Sequence, residues 1–97
     1  MPERRVEFHP LATSEAETAA DWYAQRNPQA ARAFLKELTH SIEMIREAPE
    51  RWPRFGKARR YLMSSFPFSI VYRSKGTAIE IVAIAHHKRR PGYWRSR

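Results

Sequence analysis

The sequence contains no cysteine, which excludes a disulfide framework and a thiolate zinc site and leaves stability to an ordinary packed core. Long apolar runs are missing too. Nothing approaches the ~20 consecutive apolar residues that span a bilayer, and the opening MPERRVEFHP lacks the apolar stretch of a secretory signal, so a soluble cytoplasmic protein without membrane contact is expected. The four histidines include no pair at i, i+4 spacing, so no metal site is expected, and no cofactor is implied. Acid is scarce in one half only: residues 51–97 carry 12 Lys/Arg and one acid, Glu80, whereas residues 1–50 carry 6 Lys/Arg against 9 Asp/Glu. The formal charge of +8 is therefore a basic second half joined to a mildly acidic first half. That asymmetry points to nucleic acid, an acidic protein partner, or both.

What is present reads as one domain over residues 1–97, a length that buries roughly 60 to 65% of its unfolded surface. Residues 4–8 alternate, with Val6 and Phe8 on one face, and predict a short strand ending at His9-Pro10. From Pro10 the period changes. Ala12, Ala16, Ala19, Ala20 and Tyr23 fall at helical spacing, and proline is acceptable in a first helical turn. A Ser14/Glu17 capping box offers an alternative, later start. Asn27-Pro28 reads as a cap and first residue of a second helix, whose Ala31, Phe34, Leu35, Leu38, Ile42 and Ile45 keep the helical period until Pro49 stops it. With two or three residues between them, the helices form an antiparallel hairpin, and Glu37, Glu43 and Glu47 fall on its solvated side. His9 and His40 read as surface or cap residues.

Residues 49–58, PERWPRFGKA, read as a loop pinned by Trp52 and Phe55. Strands follow at 59–64, 68–73 and from Ala78 onward, the last two joined by a 74–77 turn. The predicted fold is α+β in the order β-α-α-β-β-β: a helical hairpin packed on one face of a small antiparallel sheet, with a short basic C-terminal tail. The opposite face and the end of the last strand remain available for contacts.

The last strand is the most informative stretch. In AIEIVAIAHHKRRPGYW, residues 78–94, an apolar run passes directly into basic and aromatic residues. Strict alternation puts His87 with Ile79, Ile81, Ala83 and Ala85, and His86 with Glu80, Val82 and Ile84, so the two histidines point to opposite faces. Pro91-Gly92 ends the strand, and Tyr93, Trp94, Arg95 and Arg97 follow.

The element order, the TAADWYAQRNPQAARAFLKELTHSIEMIREAP hairpin, the RYLMSSFPFSIVY strand pair and the IEIVAIAHHKRRPGYW end together resemble the RelE/ParE superfamily of bacterial toxins over essentially the whole chain. The resemblance implies the toxin half of a type II toxin-antitoxin, or plasmid stabilisation, module, held silent by a co-encoded antitoxin with an acidic amphipathic C-terminal half. ParE-like members act on DNA gyrase and block replication with no known catalytic constellation; RelE-like members cut messenger RNA on the ribosome. The hairpin is closer to ParE-like members, and Met63 stands where RelE-like nucleases tend to carry an arginine. The expected function is thus a ParE-like toxin, the alternatives being a RelE-like mRNA endonuclease and a non-toxic RNA- or protein-binding module on the same fold.

Whether the chain is an enzyme turns on the basic end. Cleavage of RNA needs a base for the 2′-hydroxyl proton, cations for the developing phosphorane charge and an acid for the leaving oxygen. The candidates are His86 or His87, then Arg59, Arg60 or Arg73, then Tyr93. In a pure binding surface the same arginines, together with Lys88, Arg89, Arg90, Trp94 and Arg95, contact phosphate or acidic partner side chains. Tyr93 and Trp94 have two readings, as anchors packed on the sheet or as platforms for unstacked bases.

Overall fold

The computed structural model describes residues 4–97; residues 1–3, the start of the N-terminal stretch read above, lie outside it. The elements are β1 (Val6–Phe8), α1 (Pro10–Arg26), α2 (Pro28–Glu47), β2 (Arg54–Phe55), β3 (Ala58–Leu62), β4 (Phe68–Lys75) and β5 (Ala78–His86). The strands form one sheet in the order β1-β5-β4-β3-β2. All pairings are antiparallel except that of β1 with β5, which is parallel, so the sheet is mixed at one edge.

Helix α1 starts at Pro10 and not at the capping box. His9 is extended, its Nδ1 accepts the Leu11 amide at 3.1 Å, and Pro10 has no amide to satisfy. Ser14 instead donates its hydroxyl back to the Pro10 carbonyl at 3.2 Å. One residue, Asn27, serves as both the end of α1 and the cap of α2, a tighter junction than the sequence suggests. Its amide donates to the Tyr23 carbonyl while its Oδ1 accepts from Gln29 at 3.0 Å and Ala30 at 3.4 Å. On α2 the buried residues are Ala31, Phe34, Leu38, Ser41 and Ile45, one stripe at helical spacing. Glu37, expected in solvent, reaches across to accept the Ser65 amide at 3.2 Å and so ties α2 to the β3–β4 connection.

The main core lies between this stripe and one face of the sheet, where Phe34, Leu38 and Ile45 meet Phe68, Ile70, Tyr72, Ile79, Ile81 and Ile84. Phe34 sits among the rings of Tyr23, Phe66 and Phe68 at 5.5, 5.3 and 5.4 Å between centroids. Each such pair adds about 0.5–1.5 kcal/mol beyond area burial. A smaller core covers the other face, made of Ala58, Val71, Val82, Ala83 and Trp94 with Phe55, Ala85 and Tyr93 at its margin. That face is not left open as expected, because the C-terminal tail folds back onto it and buries Trp94 to 5% exposure.

Two departures from the sequence expectation matter for the site. Residues 49–58 are not wholly loop: Arg54 and Phe55 pair with Arg59 and Ala58 across a tight turn at Gly56, adding a fifth strand. In β5 strict alternation fails. Val71 lies opposite Ala83 and Tyr72 opposite Ile81, which leaves Val82 as an extra residue in a β-bulge. A one-residue insertion exchanges the two faces beyond it. Ile79 and Ile81 therefore share the helix-covered face with Ile84 and His86, while Glu80, Val82, Ala83 and Ala85 lie on the tail-covered face with His87. The histidines still point in opposite directions, as expected, but each joins the other's upstream neighbours.

Candidate target-binding site at the end of the sheet

Strand β5 outruns its parallel partner. Pairing with β1 spans Ile79 to Ile81 and ends with the His9 amide on the Ile81 carbonyl at 2.9 Å, so among the described residues no strand lies beside the following edge of β5. Two side chains from opposite ends of the chain take that strand's place. Glu15 of α1 accepts the Ile84 amide at 3.0 Å, and Arg97 donates to the Val82 carbonyl at 3.0 Å. The same two residues form a bidentate ion pair at 2.8 and 2.9 Å, and the Tyr93 hydroxyl donates to Glu15 at 2.7 Å. A fork of this kind fixes geometry as well as charge.

Burial pushes the Glu15 carboxyl up, but the hydrogen bonds from Arg97, Tyr93 and the Ile84 amide outweigh it and hold the group below the usual carboxylate range. Burial and then the Glu15 charge push the Tyr93 phenol well above its ordinary value. The tail is fastened at a third point by Arg73, which donates to Glu80 at 2.7 Å and to the Arg97 carbonyl at 3.1 Å. Trp94 packs its ring against Phe55 at 5.5 Å. Gly92 makes the intervening turn at φ +80°, where a side chain would be strained and its Cβ would meet the Arg95 guanidinium at 2.8 Å.

Two depressions flank this clasp. Along α1, a groove of about 630 Å³ runs between the half-exposed Leu11 and Trp22 and the end of the sheet at Phe68, Ile84 and His86, with Lys88 and Arg89 on its rim. His86 stands edge-on to Phe68 at 5.0 Å, and its Nδ1 accepts the Lys88 amide at 3.0 Å. On the tail-covered face, a recess of about 390 Å³ is lined by Arg60, Leu62, Ser69, His87, Arg89 and Arg90, with Tyr93 and Trp94 behind them. His87 Nε2 and the Ser69 hydroxyl are 3.0 Å apart. Arg60 lies over Phe55 at 4.6 Å and Arg89 over Tyr93 at 3.9 Å.

The candidates from sequence thus divide. His87, Arg60, Arg89 and Arg90 come together; His86 and Lys88 turn to the other side of the strand. Arg59 donates to the Trp52 carbonyl at 2.7 Å and Arg73 is held by Glu80, both near the far end of β4. Arg73 is four residues from Ser69, about 13 Å at the usual strand rise. Tyr93 spends its hydroxyl on Glu15, and Met63, at 5% exposure, is a core residue. A candidate base, His87, and cations therefore meet in the recess, but the candidate acid is engaged by Glu15, so the full set that RNA cleavage requires is not assembled. Arg95, exposed beside Gly92, stands apart from both depressions. Sequence reasoning missed Glu15 and Arg97 as partners. The available signal was the shortage of acid: with only Glu80 in the second half, a tail cation tied down in the fold has to find its counter-charge in the first half.

Comparison with known proteins places these features beside one family. The family described as the ParE toxin of the type II toxin-antitoxin system, parDE, matches residues 6–91. Among solved structures, that of the chromosomal ParDE toxin-antitoxin system from P. aeruginosa is similar in fold, with a TM-score of 0.77 at 18% identity, covering 87% of this chain and 96% of that one. No curated protein matches the chain in sequence.

Proposed function

The chain belongs to the ParE toxin family, the toxin side of type II toxin-antitoxin systems, and on that premise we propose that it arrests bacterial growth by acting on DNA gyrase until its co-encoded antitoxin neutralises it. The observation that carries a binding toxin over a ribosome-dependent nuclease is the fate of Tyr93: the candidate general acid hydrogen-bonds through its hydroxyl to Glu15, and burial and the Glu15 charge raise its pKa, so it gives up its proton reluctantly. Target contact falls to the cations at the sheet end, Lys88, Arg89 and Arg90, all exposed. The groove along α1, apolar on its floor and basic at its rim, suits an acidic amphipathic segment of the antitoxin.

Expressed without the antitoxin in a bacterium, the chain is expected to stop growth, and growth is expected to resume when the neighbouring small protein is supplied. His86→Gln and His87→Gln should retain the arrest, since neither ring is a catalyst in this account. A true general acid or base would lose about 10²- to 10⁴-fold in rate. Normal growth at confirmed soluble expression contradicts the toxin reading; loss of arrest by one histidine change in a stable protein contradicts the choice of a binding toxin.

A further inference from the structure

The arginines of the second half separate into those that are spent and those that are not. Arg59, Arg73 and Arg97 are engaged by a carbonyl, Glu80 and Glu15 respectively. The guanidinium groups of Arg60, Arg89 and Arg90 form no hydrogen bond or ion pair with any described residue, and all three residues line the recess on the tail-covered face. No carboxylate lines it with them among the described residues. Two of the three guanidiniums are held by aromatic faces, Arg60 by Phe55 and Arg89 by Tyr93. A ring face positions a guanidinium without consuming its N–H donors, so the forks stay available to an oxyanion. The same recess carries Leu62, whose apolar side chain is 57% exposed on a strand, and the His87 ring oriented by Ser69. Its volume of about 390 Å³ is at the lower end of small-molecule sites.

Convergent unpaired cations, no counter-charge and an adjacent exposed apolar surface together describe a site for a phosphate with an organic group attached. We propose that this recess is a phosphate-binding site, taking one phosphate of a nucleotide or nucleic-acid strand between Arg60 and Arg90, with the attached sugar and base against Leu62. The site binds and does not cleave, because Tyr93, the candidate acid, has its hydroxyl engaged by Glu15. It does not rest on the toxin reading, and purified protein tests it without any growth assay.

The probes are a fluorescently labelled ten-nucleotide single-stranded DNA and, separately, inorganic pyrophosphate and ATP, each titrated at several salt concentrations. Arg60→Gln and Arg90→Gln are each expected to weaken the bound probe about five- to tenfold, with the double change weakening it further. For the oligonucleotide, each lost contact should make the slope of log affinity against log salt shallower by about 0.7. Arg60→Lys, which keeps the charge and loses the fork, should fall between wild type and Arg60→Gln. Arg54→Gln and Lys57→Gln, exposed at the other end of the sheet, serve as controls and should leave affinity unchanged. Far-ultraviolet circular dichroism confirms that each variant is folded, and Arg90→Gln tests the site alone if Arg60→Gln is not. Tight oligonucleotide binding with weak pyrophosphate competition assigns the site to a strand; binding of ATP or pyrophosphate with displacement of the oligonucleotide assigns it to a terminal phosphate. Failure of all three probes to bind, or equal weakening by the Arg54 and Lys57 controls, overturns the proposal.

Discussion

Replacing Glu15 by alanine is expected to cost about 3 kcal/mol of stability, which in a domain of this length lowers the melting temperature by roughly 12–24 °C. The change leaves the Arg97 side chain, 9% exposed, without its counter-charge. It also leaves the Ile84 amide and the Tyr93 hydroxyl without their acceptor. Glu15→Gln keeps the shape and an acceptor oxygen and should lose about half as much.

The pH dependence follows from the same contacts. Because the folded carboxyl titrates below the ordinary value of 4.5, its contribution is complete above that value and is lost as pH falls through the folded range; Glu15→Gln should flatten this acid limb. Tyr93 and Tyr72 shift the other way, the latter pushed up to about 12 by burial despite the nearby Arg59. Their contribution is present below the ordinary phenol value of 10 and is lost above it as pH rises through the folded values. Thermal melts followed by circular dichroism across pH measure both limbs. A Glu15→Ala protein that melts with the wild type would refute the clasp.

Removal of residues 91–97 has the largest expected effect on the fold. It deletes Trp94, a buried aromatic whose truncation alone costs about 3–5 kcal/mol, and the Arg97 half of the ion pair at the same time. The two losses share contacts, yet their combined cost of about 6 kcal/mol is comparable with the whole stability of many small domains, about 5–15 kcal/mol. The truncated chain should show no cooperative melt, or one tens of degrees lower. Loss of toxicity on such a truncation would therefore report unfolding and not a lost target contact. Arg90→Gln separates the two, since an exposed change away from internal contacts stays within about 0.5 kcal/mol. A truncated chain that melts close to full length would show that the tail is dispensable to the fold.

How much of this was legible in sequence follows from the range of the interactions. The hairpin was visible because Ala31, Phe34, Leu38 and Ile45 repeat at helical spacing and Pro10, Asn27 and Pro49 mark the ends locally. Strand β2 was not, because Arg54 and Phe55 are too short to show any period. The parallel pairing of β1 depends on a partner more than seventy residues away, Val6 with Ile79. The bulge at Val82 lies within IVAIA, where no glycine or proline flags it. At the site, the basic run 88–90 could be read directly, and the opposed histidines came from strand alternation. Which arginines are spent depends on distances that sequence spacing does not contain: Glu15 and Arg97 are 82 positions apart. Tyr93 and Trp94 have anchoring contacts, one through Glu15 and the other through Phe55.

On the proposed reading, this ParE-family protein binds DNA gyrase and leaves RNA uncut. The most direct measurement adds the purified chain to DNA gyrase on relaxed plasmid and follows supercoiling, in parallel with the integrity of messenger RNA on translating ribosomes. Supercoiling is expected to fall with toxin concentration and to return when antitoxin is added, while the messages stay intact. Full gyrase activity at an excess of folded toxin, together with cut messages on the ribosome, would contradict it.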